Sequence, residues 1–288
     1  GVPKENNSTL RTRGWEISLN WKHALENGLS YNLGISLYDY KSVVTKYFNP
    51  TGTLSTWYEG AEVGDIWGYT VNDLFRSQED LDSYLSKVDM THIAANWNTG
   101  DLKYEDISGP NGTPDGKIDS YDRTYLGWSA PRYMFGVDFN CEWKGVDLRL
   151  FFQGVGKRDE FIYGGIIFNP QSQFLKDDRW NPSRTVEENL ANAKLPRMVN
   201  GQQNNYEMSS FYVKNAAYLR LKNLQIGYTL PKNITRKVSL EKVRCYASAS
   251  NLFTITSFPY IDPEGSSSGA YYPQLMSFAF GIDITIGK

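Results

Sequence analysis

Residues 133–152 read YMFGVDFNCEWKGVDLRLFF, and their pattern is the strongest indication of the secondary structure. From Tyr133 to Trp143 every odd position is apolar, and every even position except Met134 is polar or glycine. Lys144-Gly145 interrupts the pattern, which then resumes from Val146. Alternation with a period of two is typical of a strand that has one apolar and one polar face. The stretch therefore predicts two antiparallel strands joined by a tight turn.

The same alternation recurs in five further segments along the chain, at 15–21, 29–37, 224–230, 243–249 and 276–286. Short connections, near 23–28, 144–145 and 231–241, alternate with long ones. The long connections lie at 45–132, 157–217 and 257–273. Outer-membrane barrels have this organisation, with short periplasmic turns and long outer loops. We therefore predict an all-β fold, a portion of an antiparallel transmembrane β-barrel with about seven strands and long extracellular loops.

The alternating strands also fit a fold other than a barrel. A soluble β-sandwich, such as a self-contained glycan-binding domain, also has strands whose inner faces alternate. If the sheet lies in lipid, however, seven strands cannot close it, since bacterial single-chain barrels use even numbers from 8 upward. Open sheet edges in lipid would leave backbone groups without partners. Residues 1–288 are thus predicted to be the C-terminal part of a larger barrel.

The amino-acid composition argues against several classes of function. Lys and Arg number 30 against 32 Asp and Glu, and a formal charge of −2 argues against a nucleic-acid binder. Two Cys and two His exclude a disulfide framework and leave little for a zinc site. No convergent acid–base set is evident, so we predict that the protein is not an enzyme.

One helix is predicted in the first long loop, near 78–88. Ser77 is a suitable N-cap with Asp80 three residues later, and an apolar stripe follows. The stripe consists of Leu81, Tyr84, Leu85 and Val88. It must be buried either against its loop neighbours or against a partner protein that docks on the loops.

Aromatic residues in the long loops are the candidates for cargo contact. Trp97 is the first choice, because an indole between the amides of Asn96 and Asn98 suits a polyol or a peptide. Trp180 in the second long loop is a further candidate. The alternative for each of them is simple packing within the loops.

The loop from Asp106 to Asp122 is a candidate calcium site. Counting back from Asp122 as position twelve places Gly116 at position six, as in the EF-hand loop, which turns sharply at that glycine. The other matched positions are Asn111, Asp115, Lys117 through its carbonyl, and Asp119, with Asp106 as an alternative first ligand. The competing interpretation is an Asx-rich turn whose side chains bond their own backbone, with Asp119 or Asp122 pairing Arg123. No other cofactor is expected.

An ordered series of motifs resembles the SusC/RagA-type TonB-dependent outer-membrane transporters. It includes LRTRGWEISL at 10–19, GDLKYED at 100–106, DGKIDSYDR at 115–123 and AYLRLKNLQIGYTLP at 217–231. Shorter matches lie at 63–69, 74–80, 250–256 and 262–264. The series extends over the chain from end to end.

This resemblance implies a barrel of 22 strands with an N-terminal plug, energised by TonB through a region outside this chain. It also implies a place in the bacterial outer membrane and import of glycans or oligopeptides. A SusD-like surface lipoprotein would cover the outer loops as a lid.

Overall fold

The computed structural model describes residues 8–54, 56–162, 177–199, 203–265 and 274–286. In chain order, the strands in these ranges are β1 (Ser8–Ala24), β2 (Ser30–Tyr47), β3 (Asp65–Tyr69), β4 (Val71–Leu74), β5 (Leu102–Tyr104), β6 (Arg123–Trp128), β7 (Arg132–Trp143), β8 (Val146–Lys157), β9 (Asp159–Phe161), β10 (Val213–Asn215), β11 (Tyr218–Thr229), β12 (Leu240–Thr256) and β13 (Ser277–Ile286). The helices are α1 (Gln78–Leu85), α2 (Val186–Asn192) and α3 (Lys232–Thr235). Within these ranges, no helix has the length and apolar character needed to cross a membrane.

Seven strands form one sheet in the order β1-β2-β7-β8-β11-β12-β13, and every neighbouring pair is antiparallel. Strands that follow one another along the chain, apart from those inside the loops, are therefore also neighbours in space. This up-and-down order confirms the antiparallel all-β prediction. β1 is longer than the predicted 15–21, because its pairing with β2 continues to Ser8.

The apolar face of the sheet is continuous. One row of directly paired residues crosses all seven strands: Trp21, Leu33, Phe139, Leu150, Leu224, Ala249 and Phe278. No second sheet covers this face in the described part of the chain. Phe278 and Phe280 are 64% and 85% exposed. A sandwich would bury such a face, so the sandwich alternative is wrong, and a lipid-facing barrel wall accounts for the pattern.

The opposite face is polar. Its matching row is Lys22, Asn32, Asn140, Arg149, Gln225, Ser248 and Ala279. Arg149 Nη2 donates to Asp138 Oδ2 at 2.8 Å, and Arg244 Nη2 donates to Asp147 Oδ2 at 2.6 Å. The charges on this face thus find partners on the adjacent strand, as Arg149 does, or on the next strand but one, as Arg244 does, which is expected for the interior wall of a barrel.

The sheet is tightly turned at one end. Lys144 and Gly145 have φ values of 49° and 87°, so both central residues of the β7–β8 turn are left-handed. This is the type I′ geometry, whose twist matches that of the flanking strands. The β11–β12 connection at 231–241 is less simple than predicted, because it contains α3.

β1 and β13 are the two edges of the sheet, and each pairs on one side only within the described ranges. Both expose large apolar side chains, including Ile17 at 60% and Ile286 at 75%. Edge strands in lipid need partners for their backbone groups. The sheet is therefore part of a barrel rather than a closed one.

The hydrophobic core of the chain lies in the long loops. β3 pairs with β6, β4 with β5, and β9 with β10. Buried residues from both loops form one cluster that includes Tyr69, Leu74, Phe75, Met90, Tyr104, Ile118, Trp180, Leu195 and Tyr212. The backbone also joins the loops, since Tyr69 N donates to Met208 O at 2.9 Å and Ser210 N to Tyr69 O at 2.9 Å. The two long loops therefore fold together. Residues 163–176 and 200–202 of the second loop, and 266–273 of the third connection, lie outside the described residues.

α1 corresponds to the helix predicted near 78–88 and ends three residues earlier. Ser77 Oγ accepts the Asp80 N–H at 3.1 Å, as the N-cap prediction required. Leu81 is buried, and Tyr84 and Val88 pack against the loop core, while Leu85 is 37% exposed. Most of the stripe is thus buried against loop neighbours. α2 was not predicted, although its Thr185–Glu188 capping box is visible in the sequence.

Candidate functional site

Trp97 lies at the border of the loop core. Its ring packs edge-on against Phe75 and Tyr104, with centroids 6.4 Å and 6.2 Å apart, and its Nε1 donates to Ala94 O at 2.9 Å. Asn96 and Asn98 on either side are exposed. The indole therefore points into the protein while the amides face outward, and the three side chains do not converge on one ligand position. This arrangement fits the packing interpretation, and contact of Trp97, Asn96 or Asn98 with cargo stays a prediction.

Trp180 is only 4% exposed. Its indole lies directly over Gly100, where any side chain would collide with the ring. Trp180 N also donates to Leu195 O at 2.9 Å. Trp180 is therefore packed within the loops in this structure, and its contact with cargo stays a prediction.

Asp101 is a buried carboxylate that sequence reasoning did not single out. Arg197 Nη2 and Asn204 Nδ2 donate to its Oδ2 at 2.8 Å and 3.0 Å, and Asn205 Nδ2 donates to its Oδ1 at 2.9 Å. The Tyr104 hydroxyl donates to Asn204 O at 2.8 Å. Burial raises the pKa of Tyr104 well above its ordinary value, which keeps this hydroxyl a donor. This network joins the first long loop to Arg197, Asn204 and Asn205 of the second.

The acidic loop at 106–122 is organised by its own backbone. Asp122 is fully buried and accepts the N–H groups of Ile107, Ser108 and Asp119 at 2.9, 3.1 and 2.8 Å. Asp106 Oδ2 accepts the Gly116 N–H at 2.6 Å. Gly116 has a φ of 81°, which makes the sharp turn possible.

The remaining carboxylates of the acidic loop also accept hydrogen bonds from backbone N–H groups. Asp115 Oδ1 accepts the Lys117 N–H at 3.1 Å, and Asp119 Oδ1 accepts the Tyr121 N–H at 2.8 Å. Asn111, the proposed first ligand, is exposed. Among the residues described, no three acidic, His or Cys side chains form a group that could hold a metal. The acidic loop has the hydrogen bonds of an Asx-rich turn. The expected pairing of Arg123 with Asp119 or Asp122 is wrong, since Arg123 Nη2 lies 3.8 Å from Glu207 Oε2 instead.

Calcium binding in this loop stays a prediction, and calorimetry of the assembled protein tests it. A cation would have to displace backbone N–H groups from the carboxylates, so we expect at most weak binding, with Kd about 10⁻⁴–10⁻³ M. The paired substitutions Asp115→Asn and Asp119→Asn should abolish any such signal. If the parent protein gives no heat with Ca²⁺, the loop is a turn only.

A cavity of about 430 Å³ lies beside the β3–β6 pair, and we call it the loop cavity. It is lined by Leu54, Asp65, Ile66, Trp67, Arg123, Ser129, Glu160, Phe161 and Met208. Its volume falls in the range of small-molecule sites. Trp67 stands between Tyr58 and Tyr125, with ring centroids 6.4 Å and 6.1 Å away and near-perpendicular planes. No local sequence signal distinguishes Trp67, because the residues that join it here are far apart along the chain.

A second buried cluster lies at the outer end of β11. Arg220 is 2% exposed, and its Nη2 donates to both oxygens of Asp262 at 2.7 Å. Arg220 Nη1 donates to Glu264, which also accepts from Lys222 Nζ at 2.7 Å. The 262–264 segment is thereby tied to the wall of the barrel.

Comparison with known proteins places this fold and these loops in context. No model of a protein family matches the chain. TonB-dependent receptor P3 of Formosa agariphila is 23% identical over 97% of this chain and 29% of its own length. TonB-dependent receptor SusC of Bacteroides thetaiotaomicron is 22% identical over 97% of this chain and 27% of its own length. The chain thus spans a little under a third of the relatives it matches.

Solved structures give the same answer for the fold. The RagAB peptide transporter superposes with a TM-score of 0.69 at 18% identity, over 97% of this chain and 30% of that one. The RagAB peptide importer in its open-open state gives a TM-score of 0.65 at 16% identity. The predicted resemblance is confirmed: over 97% of its length the chain is similar in sequence to TonB-dependent receptors, which are proteins of the bacterial outer membrane, and similar in fold to the RagAB transporter.

Proposed function

We propose that this chain is part of a TonB-dependent importer that takes up a glycan or an oligopeptide together with a SusD-like lipoprotein. The observation that carries the proposal is the seven-stranded sheet, with its continuous apolar face and polar interior, in a chain that matches TonB-dependent receptors over 97% of its length. The names of the relatives describe receptors and transporters, which supports a role other than catalysis.

The folded loops support the lipoprotein partnership. A passive pore needs no loop domain, whereas here two long loops share one hydrophobic core above the sheet. Leu85 on α1 and Trp57 in the same loop remain 37% and 42% exposed. These side chains are available for contact with a partner, and aromatic residues are enriched at protein interfaces.

Growth experiments test the import itself. A strain that lacks the gene should lose growth on one class of glycan or peptide supplied as sole nutrient, and a strain that lacks TonB should show the same loss. Complementation with the full-length gene should restore growth. Equal growth of the deleted and complemented strains on every such nutrient would contradict the proposal.

Deletion of the loop domain tests the partnership. Because the two long loops share a core, we expect that replacing both 48–131 and 158–217 by short turns removes the bound lipoprotein, whereas removing one loop would also unfold the other. Affinity purification of the full-length receptor from membranes measures the effect. Outer-membrane insertion of the deleted form serves as the control. Undiminished recovery of the lipoprotein would place its contact outside these loops.

A further inference from the structure

The loop cavity is assembled from segments that are distant in sequence. Asp65 begins β3 and Arg123 begins β6, while Glu160 and Phe161 come from β9. In the β3–β6 register, Arg123 pairs with Tyr69, four residues along the strand from Asp65. At a rise of about 3.3 Å per residue, the backbones of Asp65 and Arg123 lie roughly 13 Å apart. The cavity is therefore elongated, with an acidic residue towards one end and a basic residue towards the other.

Asp65 is a carboxylate without a cation of its own. Its Oδ2 accepts the Glu62 N–H at 2.9 Å, and no basic side chain in the described ranges forms an ion pair with it. Lys41, the cation that acts on it from a distance, is paired with Glu62. Burial raises the pKa of Asp65, as expected for a carboxylate whose charge is poorly compensated. A ligand ammonium would supply the missing charge.

Arg123 offers a complementary donor. Its Nε–H is buried and has no hydrogen-bond acceptor among the described residues. Its guanidinium lies over the Tyr69 ring at 5.3 Å and, through Nη2, 3.8 Å from Glu207. A buried unpaired donor is costly, so a carbonyl or carboxylate oxygen at this point would be stabilising. The other acid of the cavity, Glu160, is already paired with Arg158.

The walls between these two ends are mostly apolar. They are formed by Leu54, Ile66, Phe161 and Met208, with Ser129 and with Trp67, whose buried Nε1–H has no acceptor among the described residues. Trp67 already packs against two tyrosine rings, which leaves less of its indole for stacking on a sugar. Aliphatic side chains suit apolar amino-acid side chains better than the hydroxyl-rich edges of a glycan, which need polar partners.

We propose that the loop cavity binds a short apolar peptide lengthwise, with its amino-terminal ammonium at Asp65 and a carbonyl or carboxylate oxygen at Arg123. This inference rests on the proposed import function and names the cargo class. At one end of the cavity the carboxylate of Asp65 can bind a cation, and at the other end the guanidinium of Arg123 can donate to an oxygen. The two ends are separated by the length of a few extended residues. A peptide carries an ammonium and a carbonyl or carboxylate in the same order.

Binding of trileucine to the full-length receptor tests the inference. We expect trileucine to bind about tenfold tighter than N-acetyl-trileucine, because a charge-assisted hydrogen bond is lost on acetylation. Asp65→Asn should weaken trileucine binding about tenfold and erase this preference. The amide oxygen that this substitution introduces can still accept the Glu62 N–H, so the turn should be retained. Arg123→Gln should weaken both peptides equally. Titration calorimetry gives all the affinities.

Glu59→Gln provides the matched control, since Glu59 is an exposed carboxylate of the same loop and lies outside the cavity. It should leave both affinities unchanged. A preference for the free amine that survives Asp65→Asn would overturn the inference, as would binding of maltoheptaose but not of trileucine. Growth of the complemented strain distinguishes a failure of the cavity assignment from a failure of the proposed import function. Intact nutrient import with Asp65-independent peptide binding refutes the cavity assignment only, whereas absence of import refutes the proposed function.

Discussion

Replacing Phe139 by arginine is expected to destabilise the assembled barrel by about 2–4 kcal/mol, the cost of a cation on the lipid face near the midplane. Phe139 lies in the middle of β7, in the apolar row that crosses all seven strands, between Leu33 and Leu150. The guanidinium would have no water and no partner there. We expect the variant to be depleted from the outer membrane and to be degraded before insertion.

The neighbouring position supplies the control. Asn140 lies in the adjacent polar row, between Asn32 and Arg149, and its side chain points to the opposite face of the same strand. Asn140→Arg should therefore assemble in nearly normal amounts, with a small penalty from the nearby cation of Arg149. Outer-membrane fractionation with a folded-state gel-shift assay measures both variants. Equal recovery of the two would refute the assignment of the apolar face to lipid.

The strands could be predicted from the sequence because a single rule governs them. In a barrel wall one face contacts lipid and the other faces the interior. Alternate residues along a strand point to opposite faces, so apolar and polar residues alternate as well. The pairing of Phe139 with Leu150 follows once two such strands are aligned by a two-residue turn at Lys144-Gly145. Periodicity also locates α1, since its N-cap and apolar stripe are local features.

The loop domain could not be predicted in the same way. Its contacts join residues more than a hundred positions apart, as between Asp101 and Asn204 or between Tyr69 and Met208. No local pattern encodes those pairings. Trp97 and Trp180 have the chemistry of cargo contacts, yet the fold uses them for packing, because large aromatic side chains supply much of the buried area that a loop domain needs.

The acidic loop at 106–122 shows a second reason why the sequence does not predict a site. Its spacing satisfies much of the EF-hand pattern, but aspartates that alternate around a glycine equally suit backbone N–H groups. In the structure, Asp106 and Asp122 accept hydrogen bonds from such backbone groups. Sequence spacing alone cannot distinguish a carboxylate that binds a cation from one that caps a turn.

Arg220→Met is expected to have the largest effect of any single substitution at the outer rim. Arg220 is buried beneath Asp262 and Glu264, whose side chains are only 15% and 17% exposed. Removing one partner of a buried ion cluster costs about 3–5 kcal/mol, because the remaining charges stay buried without compensation. Lys222 still pairs with Glu264, whereas Asp262 loses the contacts that Arg220 Nη2 makes with both of its oxygens. We expect the segment around 262–264 to detach from β11 and become susceptible to proteolysis in the otherwise assembled receptor.

Two further variants separate the charge effect from simple loss of packing. Adding Asp262→Asn and Glu264→Gln to Arg220→Met should recover much of the lost stability, because the buried carboxylates are then replaced by neutral amides. Arg149→Met removes an exposed ion pair with Asp138 and should cost at most about 1 kcal/mol. Denaturant unfolding of the full-length receptor, with limited proteolysis of the 262–264 segment, measures each variant. If the triple variant were no more stable than Arg220→Met alone, the cluster would contribute through packing, and the 262–264 segment would be held to the wall by contacts other than its carboxylates.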